Sequence, residues 1–453
     1  MLQRMRRLRW TELQLLVAPA LLSIVGLILV LVAGQNSEQT TIQQFRVQAG
    51  DVWVSLAFIG LILAIHVWLT ARRPQADQVL LPVVAMLTAI GLVMTQRLQP
   101  AAASARAGAI SLLANKQAIW IGISFVALFL VLSLFKNLSF LRRYKYTWLV
   151  LGIGLLVAAL AFGGTSGQET SGGPGSRLWF NFGFFQFQPS ELLKVILVVF
   201  LAAYLVDKRY LLGGSYKIGR LKLPPLPYLA PLGVMVGLAL VTVVVQRDLG
   251  SALLFFGIFL TMLYVASGQG GYVVAGLSLF ALGAYVLYNI SGFDYVRDRV
   301  GIWLDPWARA NDKGYQVVQS LYALANGGIA GQGVGLGRPD FIPVVQSDFI
   351  FAAIGEEVGL AGTLAVVALY LILVFRGYHI ALRSPNRFAQ LLAIGLTTIF
   401  GLQAIIIIAG TTRLIPLTGI TLPFISYGGS SLITNYLAIG LLLRISAARA
   451  DEF

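Results

Sequence analysis

Long apolar runs recur along this chain, among them Leu15 to Val32, Ile119 to Leu134 and Val195 to Leu205, each bounded by charged or by Gly- and Pro-rich stretches. A membrane-crossing helix needs about 20 mostly apolar residues. Lipid offers the backbone no hydrogen-bond partner, so a segment within it must satisfy its own N–H and C=O groups, as a helix or in a closed barrel. The alternating strands of about ten residues that a barrel requires are absent from the sequence. The chain therefore reads as an all-α polytopic membrane protein. Its composition agrees: only 11% of residues are charged, against about 25% in soluble domains.

At that length per crossing the sequence predicts about twelve transmembrane helices. They lie near 12–34, 51–71, 79–96, 117–135, 146–163, 190–206, 229–246, 250–267, 271–289, 350–375, 388–410 and 430–447. In a soluble protein the formal charge of +15 would suit a nucleic-acid partner. Here the basic residues cluster after nearly every second span, as at Arg72 and Arg73, Arg142 to Lys145, Lys208 and Arg209, and Arg376 to Arg387. This is the positive-inside pattern of cytoplasmic loops. It argues against nucleic acid, predicts both termini in the cytoplasm, and leaves the long loops 164–189 and 290–347 outside. A third outward segment, Leu414 to Gly429, carries Pro416, Pro423, Gly419 and Gly428 among apolar residues. It cannot form a regular helix, and reads as a re-entrant segment buried in protein at membrane depth. Cysteine is absent, which excludes disulfides and thiolate metal sites. The basic, then apolar, N-terminus reads as a retained first helix, because Leu15 to Val32 outlasts a signal-peptide core of about 7–15 residues. Structural or surface roles are expected for the two histidines, His66 and His379.

Ionisable groups at membrane depth are costly and so mark candidate sites. Glu191 and Lys194, spaced to share a helical face, follow Ser190, a good helix cap, and a loop holding Arg177 and Trp179. Asp348 falls where the tenth span begins, after a loop, Asn326 to Gly337, rich in glycine. It reads either as a helix cap or as a functional carboxylate. Glu356 and Glu357 lie two turns further along; at about 100° per residue they point to different sides, so neither forms a simple acid/base pair with Asp348. They require partners, for which Lys194 is a candidate. Outward arginines, including Arg247, Arg297, Arg299, Arg309, Arg338 and Arg413, suit an anionic head group.

At these segments the chain resembles the SEDS family, the RodA/FtsW/SpoVE-type peptidoglycan glycosyltransferases. The resemblance is carried by Gly175-Ser176-Arg177-Leu178-Trp179 and Phe187-Gln188-Pro189-Ser190-Glu191 with Lys194, and by Gln246-Arg247-Asp248-Leu249-Gly250-Ser251. Gly314, Tyr315, Gln316, Gln319 and Ser320 match a further motif, as do Ser347 to Ala352, Gly355 to Gly359, and Ile415 to Ser431. Leu178, Arg247 and Ile407 depart from the family's commoner Arg, Pro and Asn. The resemblance implies a family core of about ten helices over 76–453, with 1–75 an added N-terminal pair. It also implies polymerisation of lipid II, the undecaprenyl-diphosphate-linked disaccharide-pentapeptide, into β-1,4 glycan at the outer face of the bacterial cytoplasmic membrane. The family's essential acid maps onto Asp348, as general base. Substrate contacts are implied for Arg177, Trp179, Glu191, Lys194, Gln316, Gln319, Ser320, Glu356 and Glu357. A divalent cation, Mg²⁺ or Mn²⁺, could accompany the diphosphate. The partner implied is a class B penicillin-binding protein, supplying transpeptidase chemistry. Readings from other classes are a lipid II flippase, against which no inverted repeat is visible, and a non-catalytic scaffold.

Overall fold

Helices form where the apolar runs lie. The computed structural model describes residues 9–35, 49–98, 113–135, 138–162, 179–181, 186–207, 216–218, 221–223, 246–384 and 386–448, with helical positions 233, 237, 240 and 244. In chain order the elements are α1 (Trp10–Gln35), α2 (Ala49–Arg72), α3 (Leu80–Arg97), α4 (Leu113–Leu134), the short α5 (Ser139–Arg143) and α6 (Lys145–Phe162). A small antiparallel hairpin, β1 (Phe180–Asn181) with β2 (Gln186–Phe187), leads into α7 (Pro189–Asp207). A second hairpin pairs β3 (Tyr216–Ile218) with β4 (Leu221–Leu223). Then follow α8 (Leu249–Ser267), α9 (Gly270–Asn289), α10 (Asp294–Leu304), α11 (Tyr315–Gly327), α12 (Ile350–Arg383), α13 (Arg387–Thr411) and α14 (Gly429–Ser446).

Among the described residues nine helices are long and apolar enough to cross a membrane, and α6 carries a shorter apolar stretch over Lys145–Ala159. With α6 and α14 added to the nine, helices stand at eleven of the expected spans. The span expected at 229–246 lies outside the described residues, apart from the isolated positions above. The bundle is graded from centre to rim. In α7, 89% of the crossing window is buried by protein, and in α3 and α13 78%, whereas in α9 the figure is 6%. Thus α7, α3 and α13, with the equally buried α14, form the core, while α9 presents nearly all of its apolar surface outward. The N-terminal helices are tied in by polar groups. Arg9 pairs with Glu12, Glu12 Oε1 meets His66 Nδ1 at 2.7 Å, and Arg9 donates to the carbonyls of Ala76 and Asp77 at 2.5 and 2.7 Å.

Two features differ from the sequence expectation. The long segment 290–347 is partly helical: α11 places Val317, Ser320, Ala323 and Gly327 three and four residues apart on one buried face, against α12. And α12, expected as one unbroken span, is interrupted at Gly359, whose φ is 71°. The loop after α11 docks into this break. Gln332 N donates to Glu356 O at 2.9 Å and Gly333 N to Glu357 O at 3.0 Å. In return Leu360 N donates to Gly328 O at 2.9 Å and Ala361 N to Ile329 O at 3.1 Å. Every group named here that the break releases finds a partner, which is what membrane depth demands. The two backbones touch: a Cβ on Gly331 would lie 2.3 Å from Glu357 O, and one on Gly359 2.4 Å from Gly331 N. Both glycines also hold left-handed φ, 84° and 71°.

Gly331→Val and Gly359→Val are each expected to lower stability in detergent by more than the roughly 1–2 kcal/mol of a left-handed L-residue, because the clash adds to it. Gly122→Ala, in α4, where a Cβ meets nothing within 4 Å, is expected to stay within about 1 kcal/mol of the parent. Thermal unfolding of the three purified variants checks this.

Candidate functional site

Asp348 lies at the mouth of α12 and is half-buried. An aspartate there often caps the helix, but Phe349 occupies the cap position and no side chain caps this end. The Asp348 carboxylate is therefore available for other work. Removal from water is the dominant influence on it and raises its pKa; the Ser347 hydroxyl and the Arg299 charge oppose the rise, and the Asp248 charge reinforces it. Desolvation wins, and the pKa moves up from 3.8 to about 6.

Arg299, on α10, interacts with both Asp248 and Asp348, and burial lowers its own pKa. Its Nη1 also donates to Leu417 O at 2.9 Å, so one guanidinium links both carboxylates to the segment after α13. Asp248 caps α8, accepting from Ser251 N at 2.9 Å and Ser251 Oγ at 2.6 Å, while Gln188 Nε2 approaches at 3.3 Å. Burial raises its pKa too.

The segment between α13 and α14 is non-helical, as expected of a re-entrant stretch, with Leu422 to Ser426 buried and most of the rest half-buried. It is laced to the site from both sides. Ser426 Oγ donates to Ser347 O at 2.6 Å and Tyr427 N to Gln346 O at 2.8 Å. Trp303 Nε1 donates to Arg413 O at 3.1 Å, and Arg413 Nε to Trp303 O at 2.8 Å. Four non-glycine residues, Arg247, Val344, Arg413 and Phe424, hold φ between 54° and 68°. Each costs about 1–3 kcal/mol and persists only where its surroundings over-determine it. All four lie beside Asp248 or Asp348 or in the re-entrant stretch, so the strain gathers where the polar groups converge.

A buried network lies behind this site. Lys194 Nζ donates to Glu191 Oε2 at 2.6 Å, the pair expected from their spacing, and to Gln403 Oε1 at 3.0 Å. Gln403 Nε2 donates to Thr421 O at 2.9 Å, and the Thr421 and Ser431 hydroxyls lie 2.7 Å apart. Ser430 Oγ accepts from Gln188 N at 3.0 Å and donates to Gln186 O at 3.1 Å, holding the β1–β2 hairpin. Ser190, expected as the cap of α7, instead lies inside its first turn and is buried; Pro189 starts the helix, its fixed φ suiting the first helical position.

Lys194 was also expected as counter-charge to the two glutamates, and here the structure corrects the sequence. Glu357 pairs with Arg97, whose Nε lies 2.8 Å from Oε1, and Gly335 N donates to its Oε2 at 3.2 Å. Glu356 Oε1 accepts from Arg338 N at 3.1 Å. The two glutamates together hold the end of the Gly-rich loop, at Gly335 and just past it at Arg338, whereas Lys194 is engaged by its own turn and by α13.

Of the other residues singled out from the sequence, Arg177 lies outside the described residues. Trp179 stands half-buried beside β1, and Gln316 is half-buried on α11. Gln319 and Glu356 line one cavity of about 420 Å³. Ser320 is buried with its hydroxyl donated to Val317 O at 2.8 Å, so it faces the core rather than a ligand. Sequence reasoning gave no individual role to Arg299, Asp248, Gln403 or Arg97. Gln403 carried a readable signal, an amide inside an apolar span; Arg97 did not, since its partner is remote in the chain.

Comparison with known proteins follows the same outline. Residues 77–451 match the family described as cell cycle protein, FTSW_RODA_SPOVE. The peptidoglycan glycosyltransferase RodA of Mycobacterium tuberculosis (strain ATCC 25618 / H37Rv) is 40% identical over 405 residues, covering 86% of this chain and 82% of that protein. Stage V sporulation protein E of Bacillus subtilis (strain 168) is 33% identical over 380 residues, covering 83% and 99%. Among solved structures, a chain from a peptidoglycan synthase complex that coordinates polymerization and crosslinking superposes with a TM-score of 0.64 at 27% identity, over 82% of this chain and 97% of that one. The rod shape determining protein RodA of Thermus thermophilus shares the fold, with a TM-score of 0.57 at 24% identity over 82% and 96%.

Lys194→Met should leave Glu191 without its cation and Gln403 without its donor, destabilising the protein by about 1–3 kcal/mol. Adding Glu191→Gln should recover part of that loss. A double-mutant cycle read by unfolding in detergent checks the coupling; additivity of the two changes would refute it.

Proposed function

This chain belongs to the FtsW/RodA/SpoVE family of cell cycle proteins, and we propose that it is a peptidoglycan glycosyltransferase that polymerises lipid II. The observation that carries this reading, beyond membership, is a half-buried carboxylate at a helix mouth that caps nothing and has a pKa of about 6. Such a group is mostly ionised at neutral pH, yet basic enough to take a proton as a nucleophile forms.

In this reading the 4-hydroxyl of the acceptor sugar gives its proton to Asp348 as its oxygen attacks the anomeric carbon of the donor. The bond from that carbon to the diphosphate oxygen breaks, and undecaprenyl diphosphate leaves. Arg299 is the cation placed to meet developing negative charge beside Asp348, and Arg177 would add to it. Lys194 acts through Glu191 and Gln403, setting the position of the re-entrant segment. Trp179 would pack against sugar or isoprenoid. A divalent cation, Mg²⁺ or Mn²⁺, would here be held chiefly by the diphosphate, since such an ion needs only one or two protein carboxylates.

Residues 1–75 form an added helical pair on the family core. The reaction side faces outward across the bacterial cytoplasmic membrane, with both termini inside. A class B penicillin-binding protein would supply crosslinking. A RodA-like role in elongation is favoured over division, since a RodA relative reaches 40% identity over 86% of this chain where an FtsW relative reaches 38% over 60%.

Purified protein given lipid II should make glycan, and Asp348→Ala should fold normally and make none; polymerisation by that variant at the parent rate would sink the assignment. The rate should fall about tenfold per pH unit below pH 6, as the base becomes protonated. Arg299→Ala removes a charge that favours the carboxylate, so the inflection of whatever rate remains should move to higher pH.

A further inference from the structure

We propose that the cavity enclosed by α11, the Gly-rich loop and the Pro339–Phe341 turn is a saccharide subsite, separate from the reacting centre, that holds the glycan strand. Its identity as a sugar site stands on the chemistry of its lining; the strand as its occupant rests on the function proposed above. The cavity measures about 420 Å³, within the range of about 300–1,000 Å³ usual for ligand pockets.

Glu356, only 4% exposed, lines it. One carboxylate oxygen takes the Arg338 amide, but Oε2 is buried and meets no donor among the described residues. A buried acceptor left unmatched costs about 1–3 kcal/mol; a turn of the carboxylate that brings Oε2 to the cavity wall would let a hydroxyl there remove that cost. The neighbouring lining groups are the carboxamides of Gln319, Asn326 and Gln332. Carboxamides donate and accept side by side, which matches adjacent sugar hydroxyls. At the rim stand Tyr322 and Phe341, 49% and 52% exposed, and Trp307 packs 5.5 Å from the Tyr322 ring centroid. Apolar ring faces beside a polar cleft suit the C–H faces of a pyranose.

Charge separates a neutral sugar from a diphosphate. The Arg338 guanidinium already pairs with Asp340 and lies 4.7 Å from the Phe341 centroid, and Glu356 would repel an anion. None of Ser347, Arg299, Asp248 or Asp348 lines the cavity. The wall is rigid, because the Gly-rich loop is hydrogen-bonded into the break of α12, so little ordering is needed on binding.

The test is binding without turnover, on the full chain in lipid nanodiscs, with a soluble β-1,4-linked N-acetylglucosamine oligomer as probe and saturation-transfer NMR as readout. Wild type and Asp348→Asn should bind alike, and Glu356→Gln, Tyr322→Ala and Phe341→Ala should each weaken binding about tenfold. The two aromatic positions are exposed, so those variants keep the test valid even where Glu356→Gln unfolds. No binding by wild type would overturn the proposal. So would binding lost in Asp348→Asn, or kept unchanged in both aromatic variants. Because no polymerisation is measured, an inactive polymerase would count against the proposed function and leave this result standing.

Discussion

At the two described places where this backbone leaves helical geometry within the bundle, another segment of the chain supplies hydrogen bonds it lost. The break at Gly359 is filled by the Gly-rich loop, and the stretch between α13 and α14 is held by Ser347, Gln346, α10 and Gln403. Asp348 sits between these two irregular places. Its position is set from both sides by backbone contacts that cannot relax into solvent. Water is kept from most of the carboxylate for the same reason, which lifts its pKa into a range useful to a base.

The buried polar groups are costly, and behind Asp348 the fold offsets that cost with a connected network. Lys194, Gln403, Thr421 and Ser431 form a chain of donors and acceptors across α7, α13, the re-entrant stretch and α14. On the other side of α12, Arg97 and Glu357 form an ion pair. An incomplete network would be worse than an apolar core. Lys194 accordingly meets both an acid and an amide.

Much of the architecture was legible because hydropathy and loop charge follow directly from lipid solvation. Eleven spans, the re-entrant stretch and the Glu191–Lys194 pair rest on local rules of length, proline content and helical spacing. What escaped was long-range. A glycine in an apolar run is ordinarily tolerated inside a helix, so nothing local marks Gly359 as a break. Ser190 looked like a cap because the preceding proline was not read as the first helical residue. Lys194 was matched to the wrong carboxylates because only the fold brings Arg97 to Glu357. Ser320 shares a motif with Gln319, yet the helical turn between neighbours sends one to the cavity and the other to the core.

The stitching of the Gly-rich loop into α12 has a consequence for biosynthesis. Translation runs from the N-terminus, so residues 327–337 emerge before 350–383. The loop is already made when the broken helix is delivered to the bilayer, and the carbonyls of Glu356 and Glu357 need not wait for a later segment to cover them. Reversing the order of those two pieces, as a circular permutation would, leaves a gap in a nascent span with nothing yet synthesised to close it.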